Sequence, residues 1–134
     1  MVVNTAAAAS SKRDPFNQAL AGFGGFLAMC EDDRFRRIVL EEGPAALGWK
    51  RWRELDEPYG ISLLRATLQY LVDAGAIKKT SIDMLASMLF GALTEAALAI
   101  TSAAPADRTA TRRAAEKTLA TMLGAFRAPS PRRR

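Results

Sequence analysis

Apolar residues recur at intervals of three and four along most of the chain, a spacing typical of amphipathic α-helices. We predict five helices, separated by short breaks: residues 14–30, 32–43, 47–74, 82–102 and 107–126. The first begins at Asp14-Pro15, a carboxylate N-cap followed by proline at the first helical position. No run of β-branched residues alternates at a period of two, so the predicted fold class is all-α.

The predicted helix ends depend on a few capping and breaking residues. Gly75 provides a residue free to adopt positive φ just past the third helix. Thr80 and Asp83 have the spacing of a capping box for the fourth helix, and Asp107 is expected to cap the fifth. Pro58 lies inside the third helix, where it removes one backbone donor and should kink the helix.

The stretch GPAALGWKRWRELDEPYG at residues 43–60 mixes aromatic and basic residues and has two interpretations. It could stack bases and neutralise phosphates, or form an apolar helix face whose charges point to water. At the helical period Trp49, Trp52, Tyr59, Leu63 and Ala66 share one side, and the basic residues fall largely outside it. We therefore expect these aromatics to face inward and the stretch not to bind nucleic acid.

The fourth helix has more apolar surface than one core can use, because a second apolar face is interrupted only by Glu95. That face should lie against a cavity or another subunit. A lane of small residues on the fifth helix would let another helix approach closely. We expect a homodimer in which the last two helices of each subunit form a four-helix bundle, rather than closure within one chain. The expected interface residues are Met84, Met88, Gly91, Glu95, Ala114, Thr118, Thr121, Met122 and Ala125.

Composition limits the available chemistry. The chain has one cysteine and no histidine, so it lacks the commonest general base and metal ligand. No nucleophile elbow, phosphate loop or metal-ligand spacing is present, and we expect no enzyme activity, no metal and no cofactor. No apolar run reaches the ~18 uncharged residues of a membrane span, and the first residues make a poor signal peptide. A cytoplasmic protein is expected.

The net charge of +5 belongs to the ends of the chain rather than to its folded part. Residues 14–126 hold 13 Lys and Arg against 14 Asp and Glu, so this region is about neutral. We expect a flexible lead-in at 1–13, a helical domain at 14–127 and a basic, flexible tail at 128–134.

The segment RRIVLEEGPAALGWKRWRELD, together with ASMLFGALTEAALAI further on, resembles the C-terminal domain of TetR-family transcriptional repressors. The glycine-proline pair followed by W-x-x-W-R-E-L-D is its most specific part. The resemblance covers about residues 15–127. It implies an all-helical regulatory domain that binds a small apolar effector among its helices and dimerises through its last two helices.

Two features depart from that family. Its members carry about fifty further N-terminal residues that form a helix-turn-helix domain, and MVVNTAAAASSKR could not provide a recognition helix. We therefore expect no sequence-specific DNA binding by this chain. Pro58 replaces a more helix-friendly residue, which affects the expected shape of the third helix and of the pocket.

A pocket, if present, should be lined by the helices next to the aromatic stretch. The candidates are Phe23, Phe26, Leu27, Cys30, Trp49, Trp52, Tyr59, Leu63, Met88 and Glu95. Each apolar candidate could equally be plain core, and Cys30 reads as an inert buried thiol. Glu95 could pair with Arg112 or Arg113 across the interface, bind a ligand, or sit at a solvated rim.

The leading hypothesis is a dimeric effector-binding domain similar to the regulatory half of TetR-type repressors, which binds a small apolar molecule or a protein partner. It could also heterodimerise with a full-length relative through its last two helices. The alternative is a purely structural helical dimer or interaction module without a ligand. A cavity beside the aromatic stretch would favour the first, and a solid core the second.

Overall fold

Five α-helices make up the part of the chain that the computed structural model describes, residues 14–42 and 48–129. They are α1 (Pro15–Met29), α2 (Asp33–Arg36), α3 (Trp49–Asp73), α4 (Ile82–Ser102) and α5 (Arg108–Gly124). A π-helical turn at Arg37–Glu42 continues α2, and a 3-10 turn at Pro105–Asp107 precedes α5. The predicted all-α class is confirmed. The predicted lead-in at 1–13 and the predicted helix end at Gly43 lie outside the described residues.

Three of the predicted helix ends have the expected chemistry. The Asp14 carboxylate accepts a hydrogen bond from the Phe16 amide at 3.0 Å, with Pro15 at the first helical position. The Asp32 carboxylate accepts from the Arg34 amide at 2.8 Å and so caps α2. Gly75 has a φ of 72°, the left-handed conformation that closes α3 and that glycine adopts without steric cost.

α4 and α5 start where the sequence predicts, but their predicted capping contacts were wrong. Ser81, not Thr80, caps α4, because its hydroxyl accepts a hydrogen bond from the Met84 amide. The Asp83 carboxylate pairs instead with Arg65 on α3, at 2.9 Å. Asp107 makes no capping hydrogen bond through its side chain, since the 3-10 turn already brings the chain into α5.

α4 is the central helix of the bundle and contacts α1, α3 and α5. Its core face matches the predicted one, with Ile82 and Ala96 only half-buried. The buried residues are Leu85, Ala86, Leu89, Leu93, Ala97, Ile100 and Thr101. The Thr101 hydroxyl donates to the Ala97 carbonyl at 2.9 Å, so the polar member of this face is satisfied within its own helix.

The predicted inward face of α3 was wrong where the structure describes it. Tyr59 is 84% exposed and Leu63 70% exposed, and Ala66 also faces solvent. The face that enters the core is displaced by one residue and contains Leu64, Leu68 and Leu71.

Gly60 gives the physical reason for this displacement. A Cβ at Gly60 would overlap the Phe90 ring, with ring atom Cδ2 at 2.9 Å, so the missing side chain lets α3 approach α4 closely. The pattern of apolar residues places Tyr59, rather than Gly60, on the inward face of α3. Close packing of α3 against α4 instead requires the smaller residue at the contact. Pro58 lies inside α3, which continues through it, and the predicted kink stays a prediction.

The two ends of the described domain meet beside the start of α1. Ile77 and Arg127 form an isolated antiparallel bridge, and the Ala128 amide donates to the Ala76 carbonyl at 3.0 Å. The Arg127 guanidinium lies 4.6 Å from the centre of the Phe16 ring and pairs with the Asp14 carboxylate at 3.0 Å. Backbone pairing therefore holds the segment after α5 against the loop after α3, and the cation–π contact and ion pair of Arg127 hold it against the start of α1. Ala128, assigned to the tail from the sequence, belongs to this junction.

A charged network joins the end of α1 to the start of α5. Arg112 pairs with Glu31 at 2.6 Å and with Glu116 at 2.7 Å, and the Thr109 hydroxyl donates to Glu31 at 2.6 Å. The Thr109 hydrogen bond, followed by Arg112, lowers the pKa of Glu31. Gly24 leaves space for this network, because a Cβ there would lie 3.3 Å from the Glu116 carboxylate.

Replacing Thr109 by valine should lower the free energy of unfolding near pH 7 by about 1 kcal/mol, because Glu31 loses its strongest hydrogen bond. A lowered folded-state pKa stabilises the protein above the ordinary pKa of 4.5, and this is lost as the pH falls through the folded value. The difference between variant and parent should therefore shrink in acid. Urea denaturation at several pH values measures it.

Thr111→Val is the matched control, because the Thr111 hydroxyl donates only to the Asp107 carbonyl of its own helix. Its effect should not change with pH. An equal pH dependence in both variants would show that Glu31 does not couple α1 to α5.

Candidate functional site

An apolar groove of about 630 Å³ runs between α1 and α3, with α4 as its floor. The α1 wall contains Pro15, Ala19, Gly22 and Phe26, residues three or four positions apart that form one side of the helix. Gly22 accounts for part of the width of the groove, since no heavy atom lies within 4 Å of the Cβ position there. The groove therefore follows almost the whole length of α1.

The opposite wall of the groove has a solvent-exposed rim, and the base of the groove lies closer to the core. Leu63 and Tyr70 on α3 form an exposed rim, and Leu64 and Leu71 lie below it in the core. From α4, Phe90, Leu93 and Thr94 close the base. The groove is thus a concave apolar surface with aromatic residues on three helices, the usual character of a small-molecule site.

The two threonine hydroxyls of the groove are already hydrogen-bonded within their own helices. The Thr67 hydroxyl donates to the Leu63 carbonyl at 2.9 Å, and the Thr94 hydroxyl donates to the Phe90 carbonyl at 2.8 Å. None of the described lining residues is charged. A bound molecule would therefore gain mainly from the burial of apolar surface.

A second cleft, of about 650 Å³, lies between α1 and α5 and has a different character. Arg112, Arg113, Glu116 and Lys117 line it, and two of these, Arg112 and Glu116, pair with each other. The Glu116 hydrogen bond is the main reason that the pKa of Arg112 is raised. This cleft thus combines the charged network that joins α1 to α5 with apolar residues of both helices, among them the predicted ligand residues Phe23 and Leu27.

Residues 16–126 match the family described as Tetracyclin repressor-like, C-terminal domain. The chain belongs to this family. The match runs through all five described helices, and it confirms the resemblance carried by the W-x-x-W-R-E-L-D segment. The protein is thus a regulator-type, TetR-like C-terminal domain. The comparison with curated proteins finds no match.

The groove of this TetR-like domain contains three of the ten predicted ligand residues, Phe23, Phe26 and Leu63. Leu27 and Cys30 are fully buried behind it in the core. The side chains of Trp49 and Trp52 lie outside the described part of the structure. Ligand binding by any of these residues stays a prediction.

The other three predicted ligand residues, Tyr59, Met88 and Glu95, are exposed and do not line the groove. For Glu95 the structure also removes one expected partner, because Arg112 is held by Glu31 and Glu116 within the chain. Glu95 makes no ion pair among the described residues, and its exposure agrees with the solvated alternative.

Sequence analysis missed Thr67, Tyr70, Phe90 and Thr94, which belong to the groove. Thr67 and Tyr70 lie one turn and two turns beyond Leu63, so continuing the predicted face of α3 along the helix would have found them. No local pattern indicates that Phe90 lines the groove. Its position depends on the close contact with Gly60, which is far away in the sequence.

The predicted interface residues of the TetR-like domain are mostly exposed, and together they are called the open surface of α4 and α5. Met84 and Met88 are 60% and 65% exposed, and Met122 on α5 is 47% exposed. The small residues Ala114, Thr118, Thr121 and Ala125 are exposed as well, and Gly91 is half-buried. The second apolar face of α4 is therefore not covered by the described part of this chain.

α4 is the one described helix that is long and apolar enough to cross a membrane by length and composition. Its core face lies against α1, α3 and α5, and it carries the exposed charges Asp83 and Glu95. Core helices of soluble proteins pass the same test, so this helix alone is no evidence for a membrane protein.

Reactive chemistry is sparse in the described part of the domain. Its His, Cys, Asp and Glu residues form no cluster of three that could hold a metal ion. Burial raises the pKa of the Cys30 thiol to about 11, and this thiol donates a weak hydrogen bond to the Phe26 carbonyl. Cys30 therefore stays protonated at neutral pH, as an unreactive core residue.

Cys30 should react with a disulfide reagent at about pH 8 at least about a hundredfold more slowly in the native protein than in urea. The reason is the small thiolate fraction set by the raised pKa, together with burial of the sulfur atom. The absorbance of the released thiolate measures the rate. Ser87→Cys, on the exposed side of α4, should react rapidly in the native state, and an equally fast reaction of Cys30 would contradict its burial.

Proposed function

We propose that this chain is the effector-binding and dimerisation domain of a transcriptional regulator. It holds a small apolar molecule in the groove between α1 and α3, acts in the cytoplasm and catalyses no reaction. The observation that carries the proposal is an apolar groove without charged lining residues in a chain of the TetR-like C-terminal family. We do not assign binding of operator DNA to the described helices, because they lie in the region that matches the C-terminal domain of the family.

The groove supports an apolar effector on energetic grounds. Its exposed rim residues Phe26, Leu63 and Tyr70 place apolar surface in water, and covering such surface yields roughly 25 cal/mol per Å². Because Thr67 and Thr94 already have partners, an apolar ligand leaves both threonine hydroxyls of the lining hydrogen-bonded. The aromatic rings of Phe23 and Phe90 suit flat or ring-containing molecules.

The open surface of α4 and α5 supports homodimerisation. Met84, Met88 and Met122 give it large apolar side chains, and small residues beside them allow two helices to pack closely. A C2 axis through this surface would bring the same residues of two subunits together. Each subunit would then contribute α4 and α5 to a four-helix bundle.

α4 connects the two proposed sites. Phe90, Leu93 and Thr94 contact the groove, whereas Met88 and Glu95 belong to the opposite, open surface. An effector that shifts α4 from the groove side would therefore change the packing between subunits. Both sites would then use α4, so the free energy of ligand binding and the free energy of dimerisation would be coupled.

Leu63→Glu should raise the dissociation constant of the neutral apolar dye Nile red roughly tenfold, because it places a carboxylate at the rim of the groove. Leu63 is largely exposed, so the fold should tolerate the change. Fluorescence titration of the dye measures the affinity. Ser62→Glu is the matched control, because it adds the same charge at an exposed position of α3 that does not line the groove, and it should leave dye binding unchanged.

Equal loss of dye binding in both variants would place the dye outside the groove. Absence of dye binding to the parent protein would favour the alternative, a helical dimer without a small-molecule ligand.

The parent protein should show about twice the monomer mass in light scattering, and Met88→Glu should shift it to the monomer. Two like charges would meet near the two-fold axis, which is unfavourable in a buried interface. Leu63→Glu is the control here and should remain dimeric. A monomeric parent would mean that the open surface of α4 and α5 does not join two copies of this chain.

A further inference from the structure

The groove begins where the polypeptide enters the fold. Pro15, the first residue of α1, lines one end of the groove, and Phe26 lines it almost three turns later. Asp14 has an extended backbone conformation and connects residues 1–13 directly to this end. The segment that precedes α1 therefore starts at the mouth of an open apolar surface.

The length of this segment matches the groove. Pro15 and Phe26 are eleven positions apart on α1, a distance of about 16 Å at the helical rise of 1.5 Å per residue. Four residues, 10–13, are enough for a tight turn that reverses the chain direction. Residues 1–9 then span about 30 Å when extended, which is enough to reach along the groove.

The chemistry of the segment matches as well. Residues 1–9, MVVNTAAAA, carry no charged side chain, and the lining of the groove has none either. The alanines suit a shallow groove, and Val2 and Val3 provide larger apolar groups for its far end. The nearest charged residues, Lys12 and Arg13, are outside this stretch in the sequence and directly precede Asp14.

The other terminal segment starts nearby and lacks this complementarity. The contacts of Arg127 with Phe16 and Asp14 place the start of the C-terminal tail beside the same end of α1. The tail carries Arg132, Arg133 and Arg134, which would lose hydration in a groove without carboxylates. Of the two segments, only the N-terminal one has the composition of a groove ligand.

We propose that residues 1–9 fold back along α1, occupy the groove between α1 and α3, and compete there with apolar molecules. The position of the segment follows from the groove and the sequence alone. Its competition with an effector rests on the proposed function. The segment acts as a tethered ligand, with an effective concentration in the millimolar range typical of short linkers.

Paramagnetic broadening tests the position of the segment in the full chain. A nitroxide is attached at Val3→Cys, with Cys30 left in place because its buried thiol does not react, and backbone amide signals are recorded by NMR. Signals around Gly22, Phe26 and Leu63 should weaken, and those around Ala114 and Thr118 on α5 should not. The matched control carries the nitroxide at Ser130→Cys, which enters from the same end of α1 and should leave the far end of the groove unaffected.

The remaining outcomes of this experiment overturn the proposal. Uniform or absent broadening means that the segment is not held in the groove. Broadening in a mixture of isotope-labelled parent and unlabelled, spin-labelled protein means that a second copy supplies the segment. If only the label at Ser130→Cys weakens the groove signals, the groove is occupied by the C-terminal tail.

Competition is tested by charge variants at two places in the same segment. Val2→Asp with Val3→Asp should bind Nile red about three- to tenfold more tightly than the parent, because the charged segment leaves the groove. Ser10→Asp with Ser11→Asp adds the same charge in the linker and should bind like the parent. Equal affinities in all three proteins overturn the competition. If none binds the dye, the proposed effector function fails, while the broadening experiment still decides where the segment lies.

Discussion

The packing of α4 against α1, α3 and α5 is the interaction on which the rest of the structure depends. α4 uses its core face, from Leu85 to Ile100, to hold all three neighbours at once. Because one helix serves three partners, its opposite face stays open, and the groove between α1 and α3 has a floor. Both proposed binding surfaces are thus consequences of one arrangement, in which a helix that is apolar on two sides has neighbours on only one.

The core faces of α1 and α4 could be predicted because each has a single consistent period of large apolar residues. Phe16, Phe23, Leu27 and Cys30 are buried as the pattern indicates. α3 could not be predicted in the same way, since Leu63 and Leu64 are adjacent and both are apolar. The choice between them depends on Gly60 and Phe90, residues thirty positions apart, and a contact of this kind leaves no local periodic signal.

The groove was predicted in part for the same reason. Phe23 and Phe26 follow from the α1 pattern, whereas Phe90 and Thr94 enter the groove only through the tertiary packing of α4. The charged contacts show this limit more strongly. Arg112 was one of two arginines considered as a partner of Glu95, and within the chain it pairs with Glu31, far away in sequence, because α1 and α5 lie side by side. Local spacing predicts which residues share a helix face, and packing decides which faces meet.

The junction of Asp14, Phe16 and Arg127 has a consequence for how the domain opens. The ends of a folded chain are ordinarily the first parts to exchange their amide hydrogens, because few contacts hold them. Here Arg127 holds the start of α1 through its guanidinium, and Ala128 is held by the Ala76 carbonyl. Release of either end removes contacts from the other, so the two ends should fray together. The loop after α3 should open with them, because Ala76 in this loop is hydrogen-bonded to Ala128.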